Sequence, residues 1–349
     1  MRNEGIIMKD VTIIGGGPAG LYASFYSGLR GMDVQIIDAQ EKLGGKMCLY
    51  PEKIIWDIGG VAPKTCEAII QDIIEQGLHF NPEVILETKV TDIRKVAEHH
   101  FEVVTESGKV YTSKSVIIAI GAGIIKPQRL EIEHAHRFEL TSLHYVVPRY
   151  EHFRAKNVLI SGGGNTALDW AEALAPIAQS VTLVYRRNDV SGHEATMQNL
   201  QSLNVKCHSN MMITDLESPS NAPHLIETVT LKHLFTEEQI KVPADEVIIS
   251  HGFDRQLELL NETSLKINML DHTYIQGQGN SKTNIDGVFA CGDILQHPAK
   301  IHLITSAFSD AGHAANSAKN YISPQDPKEG YVSSHNPVFK QANKAFLPK

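Results

Sequence analysis

One glycine-rich loop that directly follows an apolar strand restricts the fold of this chain more than any other feature. The strand Val11–Ile14 leads into Gly15-Gly-Gly-Pro-Ala-Gly20, and a predicted helix over Leu21–Arg30 and a second strand, Val34–Ile37, come next. A unit of about 30 residues has room only for strand, tight turn, helix and strand. The loop therefore predicts a βαβ unit near the start of the chain.

The same pattern occurs a second time in the middle of the chain. The strand Val158–Ser161 is followed by Gly162-Gly-Gly-Asn-Thr-Ala167, then a helix over Leu168–Leu174 and a strand over Val181–Val184. Two such units predict an α/β fold with two Rossmann-like, three-layer domains. Each domain is expected to bind a dinucleotide.

The glycines of the first loop each have a physical task. Gly15 permits the tight turn, Gly17 lets the backbone approach a pyrophosphate, and Gly20 allows the helix to pack closely on the strand. Pro18 suits the first turn of the helix, whose free N–H groups bind phosphate. Asp38, 23 residues after Gly15 at the tip of the second strand, can accept hydrogen bonds from an adenosine ribose.

The second loop differs at the tip of its second strand. Gly162, Gly164, Asn165 and Thr166 form the turn and the helix start, whereas the strand ends in arginine, at Arg186-Arg187. Guanidinium groups bind a 2′-phosphate that an acidic residue would repel. The sequence predicts NADPH rather than NADH here, and the alternative is a pair of surface arginines in a loop.

The remaining chain alternates between predicted strands and helices. The strands are Phe101–Thr105, Val110–Thr112, Lys114–Ile120, Asp245–Ser250 and one within Asp286–Asp293, the helix is Ser306–Tyr321, and the tail from Ser323 is loop-like. The first two strands flank Ser107-Gly108 and predict a hairpin.

Composition argues against several classes of protein. The longest apolar run, Val116–Ile125, is about half the ~20 residues of a membrane-spanning helix. Met1–Lys9 lacks the apolar core of a signal peptide, so we expect a cytoplasmic protein without membrane association. A net charge of −8, from 32 Lys and Arg against 40 Asp and Glu, disfavours nucleic-acid binding.

The four cysteines are widely spaced and none forms a Cys-x-x-Cys pair. This spacing argues against a dithiol redox centre and against a zinc site, so no metal is expected. One stretch departs from the acidic average: Leu295–Lys349 holds six Lys and three Asp or Glu, a local balance of +3.

Several motifs together resemble one family over essentially the whole chain. The motifs are Ile14–Gly20, Leu43-Gly-Gly45, Tyr50-Pro51, Ala119-Ile-Gly121, Gly162–Ala167, Tyr185–Arg187 and Gly287–Asp293. With these motifs the chain resembles the thioredoxin-reductase-like flavoproteins, and within them the bacterial ferredoxin–NADP⁺ reductases. Thioredoxin reductases carry Cys-x-x-Cys shortly before the second loop, where this chain reads Leu140–Arg149 without cysteine.

The resemblance implies a discontinuous FAD domain, residues 1–125 and 246–349, and an inserted NADP(H) domain, residues 126–245. It also assigns FAD contacts to residues beyond the first glycine loop. Tyr50 and Val332 would stack on the two faces of the flavin ring, and the other implied contacts are Asp38, Lys46, Val90, Ile125, Asp293 and Ser334. Lys46 stands where the family commonly has Gln, and Val332 stands where relatives have an aromatic ring or His.

The implied activity is hydride transfer from NADPH to FAD, followed by single-electron transfer to ferredoxin or flavodoxin. Since the cofactors supply the chemistry, no catalytic side chain is expected beyond those that stack on the flavin. The resemblance also implies a homodimer. Two alternatives stay open: an NAD(P)H oxidase or diaphorase with another acceptor, and a non-enzymatic sensor of flavin or nucleotide.

Overall fold

The computed structural model describes residues 8–147, 149–190 and 194–346, except for the side chains of 125, 194–197, 254–256 and 346. Contacts divide the chain into two compact units. Unit one comprises Met1–Cys48, Lys53–Ile124 and Arg255–Lys349, and unit two comprises Leu49–Glu52 and Ile125–Asp254.

The strands and helices follow in chain order. The strands are β1 (Lys9–Ile14), β2 (Val34–Ile37), β3 (Ile54–Ile55), β4 (Lys64–Thr65), β5 (Glu83–Ile85), β6 (Val90–Ala97), β7 (His100–Thr105), β8 (Val110–Ile118), β9 (Ile124–Pro127), β10 (Leu143–His144), β11 (Asn157–Ser161), β12 (Ser180–Val184), β13 (Lys206–His208), β14 (Met211–Glu217), β15 (Thr228–His233), β16 (Gln239–Pro243), β17 (Glu246–Ile249), β18 (Phe253–Gln256), β19 (Met269–Leu270), β20 (Tyr274–Gln276), β21 (Val288–Ala290) and β22 (Leu295–Gln296). The α-helices are α1 (Pro18–Leu29), α2 (Cys66–Gly77), α3 (Asn165–Leu174), α4 (Glu194–Ser202), α5 (Glu258–Glu262) and α6 (Ile304–Ile322). Short 3-10 helices lie at Gly45–Leu49, Ala135–Phe138, Tyr150–Phe153, Gly292–Ile294, Ser333–His335, Pro337–Phe339 and Ala342–Phe346.

Unit one is built on a seven-stranded sheet in the order β5-β2-β1-β8-β7-β6, with β21 also paired to β8. Strands β5, β2, β1, β8 and β21 are parallel, whereas β6, β7 and β8 form an antiparallel meander. Helices α1, α2 and α6 cover one face of the sheet. The meander, α5 and the short strands after it contribute the apolar cluster on the other face.

Strand β8 corrects the sequence prediction, which broke this segment into two strands at Ser113. The segment is one strand because Ser113, although polar and fully buried, has its hydrogen bonds satisfied within the sheet. Its hydroxyl accepts from Thr12 at 2.6 Å and donates to the carbonyl of Ser115 at 2.8 Å. Buried polar groups with such partners do not interrupt a sheet.

Unit two contains a five-stranded parallel sheet in the order β10-β17-β11-β12-β13. Helices α3 and α4 cover one face, and a three-stranded antiparallel sheet, β14-β15-β16, covers the other. The antiparallel sheet did not figure in the sequence prediction. Its strands show only a weak alternation of exposed and buried residues. This pattern predicts a strand less clearly than the continuous apolar runs of the parallel strands do.

The division into units differs from the predicted boundaries at two places. Strand β17 belongs to unit two, because it pairs in parallel with β11 in the middle of the five-stranded sheet. The chain therefore returns from unit two to unit one after Asp254. Residues 49–52 also belong to unit two. The Glu52 carboxylate accepts a hydrogen bond from the backbone N–H of Tyr150 and lies 3.9 Å from the Arg149 guanidinium.

No helix within the described residues is both long enough and apolar enough to cross a lipid bilayer.

Candidate functional site

The first glycine loop is packed so tightly that two of its glycines leave no room for a side chain. Gly15 has φ +106°, and a Cβ there would lie 2.5 Å from the carbonyl oxygen of Ala119. A Cβ on Gly20 would lie 1.8 Å from the carbonyl oxygen of Gly15. These contacts hold the start of α1 directly against the ends of β1 and β8.

Gly17 differs because a Cβ there would make only an ordinary van der Waals contact. Its φ of −78° is ordinary, and the nearest atom to a built Cβ is Gly45 Cα at 3.8 Å. The Leu43–Gly45 segment lies beside the loop, and the Gly44 N–H donates to the Gly16 carbonyl at 2.8 Å. The absence of a Cβ on Gly17, at the helix N-terminus, fits the close approach of a pyrophosphate to the backbone. Lys46, the next residue after this segment, is exposed.

Asp38 lies at the tip of β2, as the sequence predicts, and is 8% exposed. Its Oδ2 accepts from the Gly16 N–H at 2.5 Å and its Oδ1 from the Gln40 N–H at 2.7 Å. Burial raises the pKa of this carboxyl, and both N–H groups oppose the shift. A carboxylate oxygen has more than one lone pair, so a ribose hydroxyl can still bind. Val90 begins β6 and is buried.

The Gly292-Asp293 turn also reaches the first loop. Gly292 has φ +78°, and a Cβ there would lie 2.7 Å from the Cβ of Ala19 in the first turn of α1. The Asp293 side chain is 48% exposed and its Oδ1 lies 3.8 Å from His302 Nδ1. The fold of unit one therefore gathers Gly15, Gly17, Gly20, Asp38 and Asp293 around one end of its parallel sheet.

The second loop repeats this geometry in unit two. A Cβ on Gly162 would lie 2.3 Å from the Ser250 carbonyl oxygen, whereas a Cβ on Gly164 meets nothing within 4 Å. Asn165 and Thr166 begin α3, so their backbone N–H groups lie at a helix N-terminus. The open space at Gly164 fits a second dinucleotide.

The arginines at the tip of β12 are both exposed, and a histidine that sequence reasoning missed lies near them. His251 Nε2 is 2.8 Å from Ser161 Oγ, at the end of β11. Burial and the nearby positive charge of Arg186 lower the pKa of His251. Its position two residues after the apolar strand β17 was the available signal. Arg186, Arg187 and His251 form a cationic or polar group at the end of this sheet.

The two predicted flavin-stacking residues belong to different units, Tyr50 to unit two and Val332 to unit one. The Tyr50 ring packs in unit two against Trp170, with ring centroids 6.3 Å apart. Val332 is 64% exposed and Ser334 is exposed. The tail is anchored further on, where Phe339 stacks on Phe25 at 6.4 Å. The stacking roles stay predictions. Ile125 lies in β9, and its side chain is outside the described residues.

All four cysteines are free thiols, and burial raises the pKa of each. The pKa of Cys66 is raised to about 11. A reactive cysteine needs a lowered pKa. These thiols therefore lack the character of a disulfide-reducing centre.

One group in the described residues offers metal-ligating atoms: His144, His152 and Glu246 in unit two. Glu246 is buried, and its oxygens lie 2.5 Å from His144 Nε2 and 3.0 Å from His152 Nε2. Lys156 Nζ lies 2.5 Å from the same carboxylate. Because the ammonium group already neutralises Glu246, the cluster is explained as an ion-pair network without a metal.

Known proteins resemble this chain over nearly its whole length. Residues 9–311 match the pyridine nucleotide-disulphide oxidoreductase family. A ferredoxin–NADP reductase of Staphylococcus saprophyticus is 58% identical over 98% of this chain and 99% of its own. A ferredoxin–NADP reductase 1 of Bacillus thuringiensis is 48% identical over 97% of both chains. The chain belongs to the ferredoxin–NADP reductase branch of this family.

Solved structures share the fold of this chain. The thioredoxin reductase of T. acidophilum superposes over 90% of this chain and 99% of its own chain, with a TM-score of 0.72 and 23% sequence identity. That of Lactococcus lactis has the same coverage, a TM-score of 0.71 and 26% identity. As a member of the ferredoxin–NADP reductase branch, the protein is a flavin-dependent NADPH oxidoreductase that binds FAD. The predicted fold class, family, enzyme class and cofactors are confirmed.

Proposed function

We propose that this protein oxidises NADPH and passes the electrons singly, through bound FAD, to ferredoxin or flavodoxin. The observation that carries the proposal is 58% identity over 98% of the chain to a protein named ferredoxin–NADP reductase. When bound, FAD supplies the exchange between a two-electron donor and one-electron acceptors. The chain's own residues bind, orient and separate the two nucleotides.

In unit one, we assign the FAD pyrophosphate to the backbone of Gly17 at the start of α1, beside Gly45. Asp38 would bind the adenosine ribose, because its carboxylate is fixed by two backbone N–H groups at the tip of β2. Asp293 would bind the ribityl–phosphate part, since its turn abuts Ala19. Lys46 follows Gly45, is exposed and would also contact FAD.

In unit two, we assign the NADPH pyrophosphate to the open space at Gly164 and the start of α3. Arg186 and Arg187 would bind the 2′-phosphate, which requires exposed cationic groups at the tip of β12. The predicted domain roles then become an FAD-binding unit one and an NADPH-binding unit two.

The electron acceptor is proposed to be an acidic carrier protein rather than a disulfide. Each thiol has a raised pKa and none has a partner cysteine in a Cys-x-x-Cys pair. The C-terminal segment offers a basic surface instead, with Lys328, Lys340 and Lys344 exposed. Lys300 does not contribute to this surface, because it is fully buried in an ion pair with Asp310. Without Lys300 and Asp310, the segment Leu295–Lys349 still holds five Lys and two acidic residues, so its net charge stays +3.

Steady-state turnover with competing acceptors tests the proposal. We expect NADPH oxidation to be much faster with ferredoxin or flavodoxin than with oxygen, and the ferredoxin rate to fall as salt screens the basic segment. Equal or faster turnover with oxygen would instead support an oxidase. A rate independent of salt would reject electrostatic docking while leaving the acceptor assignment standing. The homodimer and the cytoplasmic location stay predictions.

A further inference from the structure

A buried ion pair in unit one lies next to the Gly292-Asp293 turn. Lys300, in the loop before α6, has a fully buried side chain whose ammonium group pairs with the carboxylate of Asp310 on α6. Asp310 is 4% exposed, and its Oδ1 lies 3.4 Å from His297 Nε2. Its backbone carbonyl accepts from the Ser281 hydroxyl at 2.8 Å.

Both members of this pair bind the backbone of Gly292. The Lys300 ammonium donates to the Gly292 carbonyl oxygen at 2.9 Å, and Asp310 Oδ2 accepts from the Gly292 N–H at 3.3 Å. Gly292 therefore has its donor and its acceptor held by opposite charges. Its φ of +78° places it in the left-handed region, where the surrounding contacts must fix the conformation.

A buried ion pair is a costly way to stabilise a fold. Removing both charges from water costs much of what their attraction returns, and apolar residues of similar volume often serve stability equally well. What such residues do not offer is a donor and an acceptor at fixed positions. The contacts made by Lys300 and Asp310 thus indicate a task that apolar packing cannot perform.

We propose that Lys300 and Asp310 are positioning residues that clamp the Gly292 backbone and so hold Asp293 in place to bind FAD. The pair links α6 and its preceding loop to a turn that abuts the first residues of α1. This inference rests on the proposed binding of the FAD ribityl–phosphate by Asp293. It adds two residues that act on the cofactor without touching it.

The rate of FAD release from the holoenzyme tests the proposal. It is measured as the rise of flavin fluorescence after dilution. The variant Lys300→Met with Asp310→Leu keeps the buried volume but removes both contacts to Gly292. We expect FAD release at least about tenfold faster, because two charge-assisted hydrogen bonds are lost. The visible circular dichroism of the bound flavin should also change. The exposed Lys64–Asp72 pair, at 2.7 Å in the same unit, gives the control Lys64→Met with Asp72→Leu, expected to release FAD as wild type does.

A double-mutant cycle with Asp293→Asn separates positioning from general support of the fold. If the pair acts through Asp293, its replacement accelerates release much less in the Asp293→Asn background than in the wild type. Equal acceleration in both backgrounds overturns the proposal, as does unchanged release from a folded pair variant. If Asp293→Asn alone leaves release unchanged, the assignment of Asp293 to FAD fails and the inference fails with it.

The milder variant Asp310→Glu serves if the double replacement does not fold. It keeps both charges but shifts the carboxylate by one methylene, so the contact to the Gly292 N–H is lost or lengthened. We expect faster FAD release from this variant as well. Release at the wild-type rate from folded Asp310→Glu would also overturn the proposal.

Discussion

Replacing Gly164 by alanine separates the two nucleotide sites. The backbone there has φ −95° and ψ 171°, which alanine adopts without strain, and a Cβ meets no atom within 4 Å. The substitution therefore fits the fold. It places a methyl group where the backbone must approach the NADPH pyrophosphate.

The size of the effect follows from these two facts. Gly164 is the N-cap of α3, and alanine caps a helix less well than glycine, so stability falls by about 1 kcal/mol or less. The unfolding midpoint then drops by no more than roughly 2–4 °C. Crowding of the bound pyrophosphate costs about 1–3 kcal/mol, which corresponds to a roughly 5- to 150-fold rise in KM for NADPH.

The assay is NADPH oxidation by the purified holoenzyme, with FAD content measured alongside. Gly17→Ala in the first loop is the matched control, since its backbone angles are also ordinary and its nearest neighbour to a Cβ is 3.8 Å away. We expect Gly164→Ala to keep FAD and lose NADPH affinity, and Gly17→Ala to release FAD more readily. An unchanged KM in Gly164→Ala, or loss of FAD from it, refutes the assignment of the two loops.

Three further predictions concern coenzyme choice, pH and thiols. Arg186→Gln should raise KM for NADPH by about tenfold or more and leave KM for NADH unchanged. Arg137 is also exposed in unit two, and the control Arg137→Gln should change neither KM value. Steady-state kinetics with both coenzymes measure these values. Burial and the charge of Arg186 lower the pKa of His251, so the stability that neutral His251 contributes is complete above its unfolded pKa of about 6.5 and is lost as pH falls to the lower folded pKa. We therefore expect the melting temperature to depend less on pH in His251→Asn than in the wild type between about pH 5 and 8. Equal slopes of melting temperature against pH in the two proteins would contradict this. Since the pKa of Cys66 is raised to about 11, we expect slow alkylation of this thiol in the native protein at neutral pH by mass spectrometry, with rapid alkylation only after unfolding.

The βαβ units were predictable because their signals are local. Strand β2 has the predicted bounds, and β1, β11 and β12 begin only one or two residues earlier than predicted. The apolar runs of parallel strands and the glycines between strand and helix depend on neighbours within a few residues. The three-stranded sheet β14-β15-β16 was missed because its residues alternate only weakly between buried and exposed. Which of its residues are buried depends on packing against a second layer that the local sequence does not show.

The site divides in the same way. Asp38 and the glycines lie where the sequence places them, since each follows directly from the end of a strand. The contact of Lys300 and Asp310 with Gly292 could not be predicted, because it depends on how α6 packs against the sheet. Tyr50 packs against Trp170 in unit two, a contact that its sequence motif does not predict, and its flavin-stacking role stays a prediction.

Anaerobic titration of the holoenzyme with NADPH tests the central claim most directly. The flavin absorbance should bleach with about one NADPH per bound FAD, because each carries two electrons. Oxidised ferredoxin or flavodoxin added afterwards should restore the absorbance. A flavin that stays oxidised in excess NADPH, or one that is reduced by NADPH but not reoxidised by either carrier, would contradict the account.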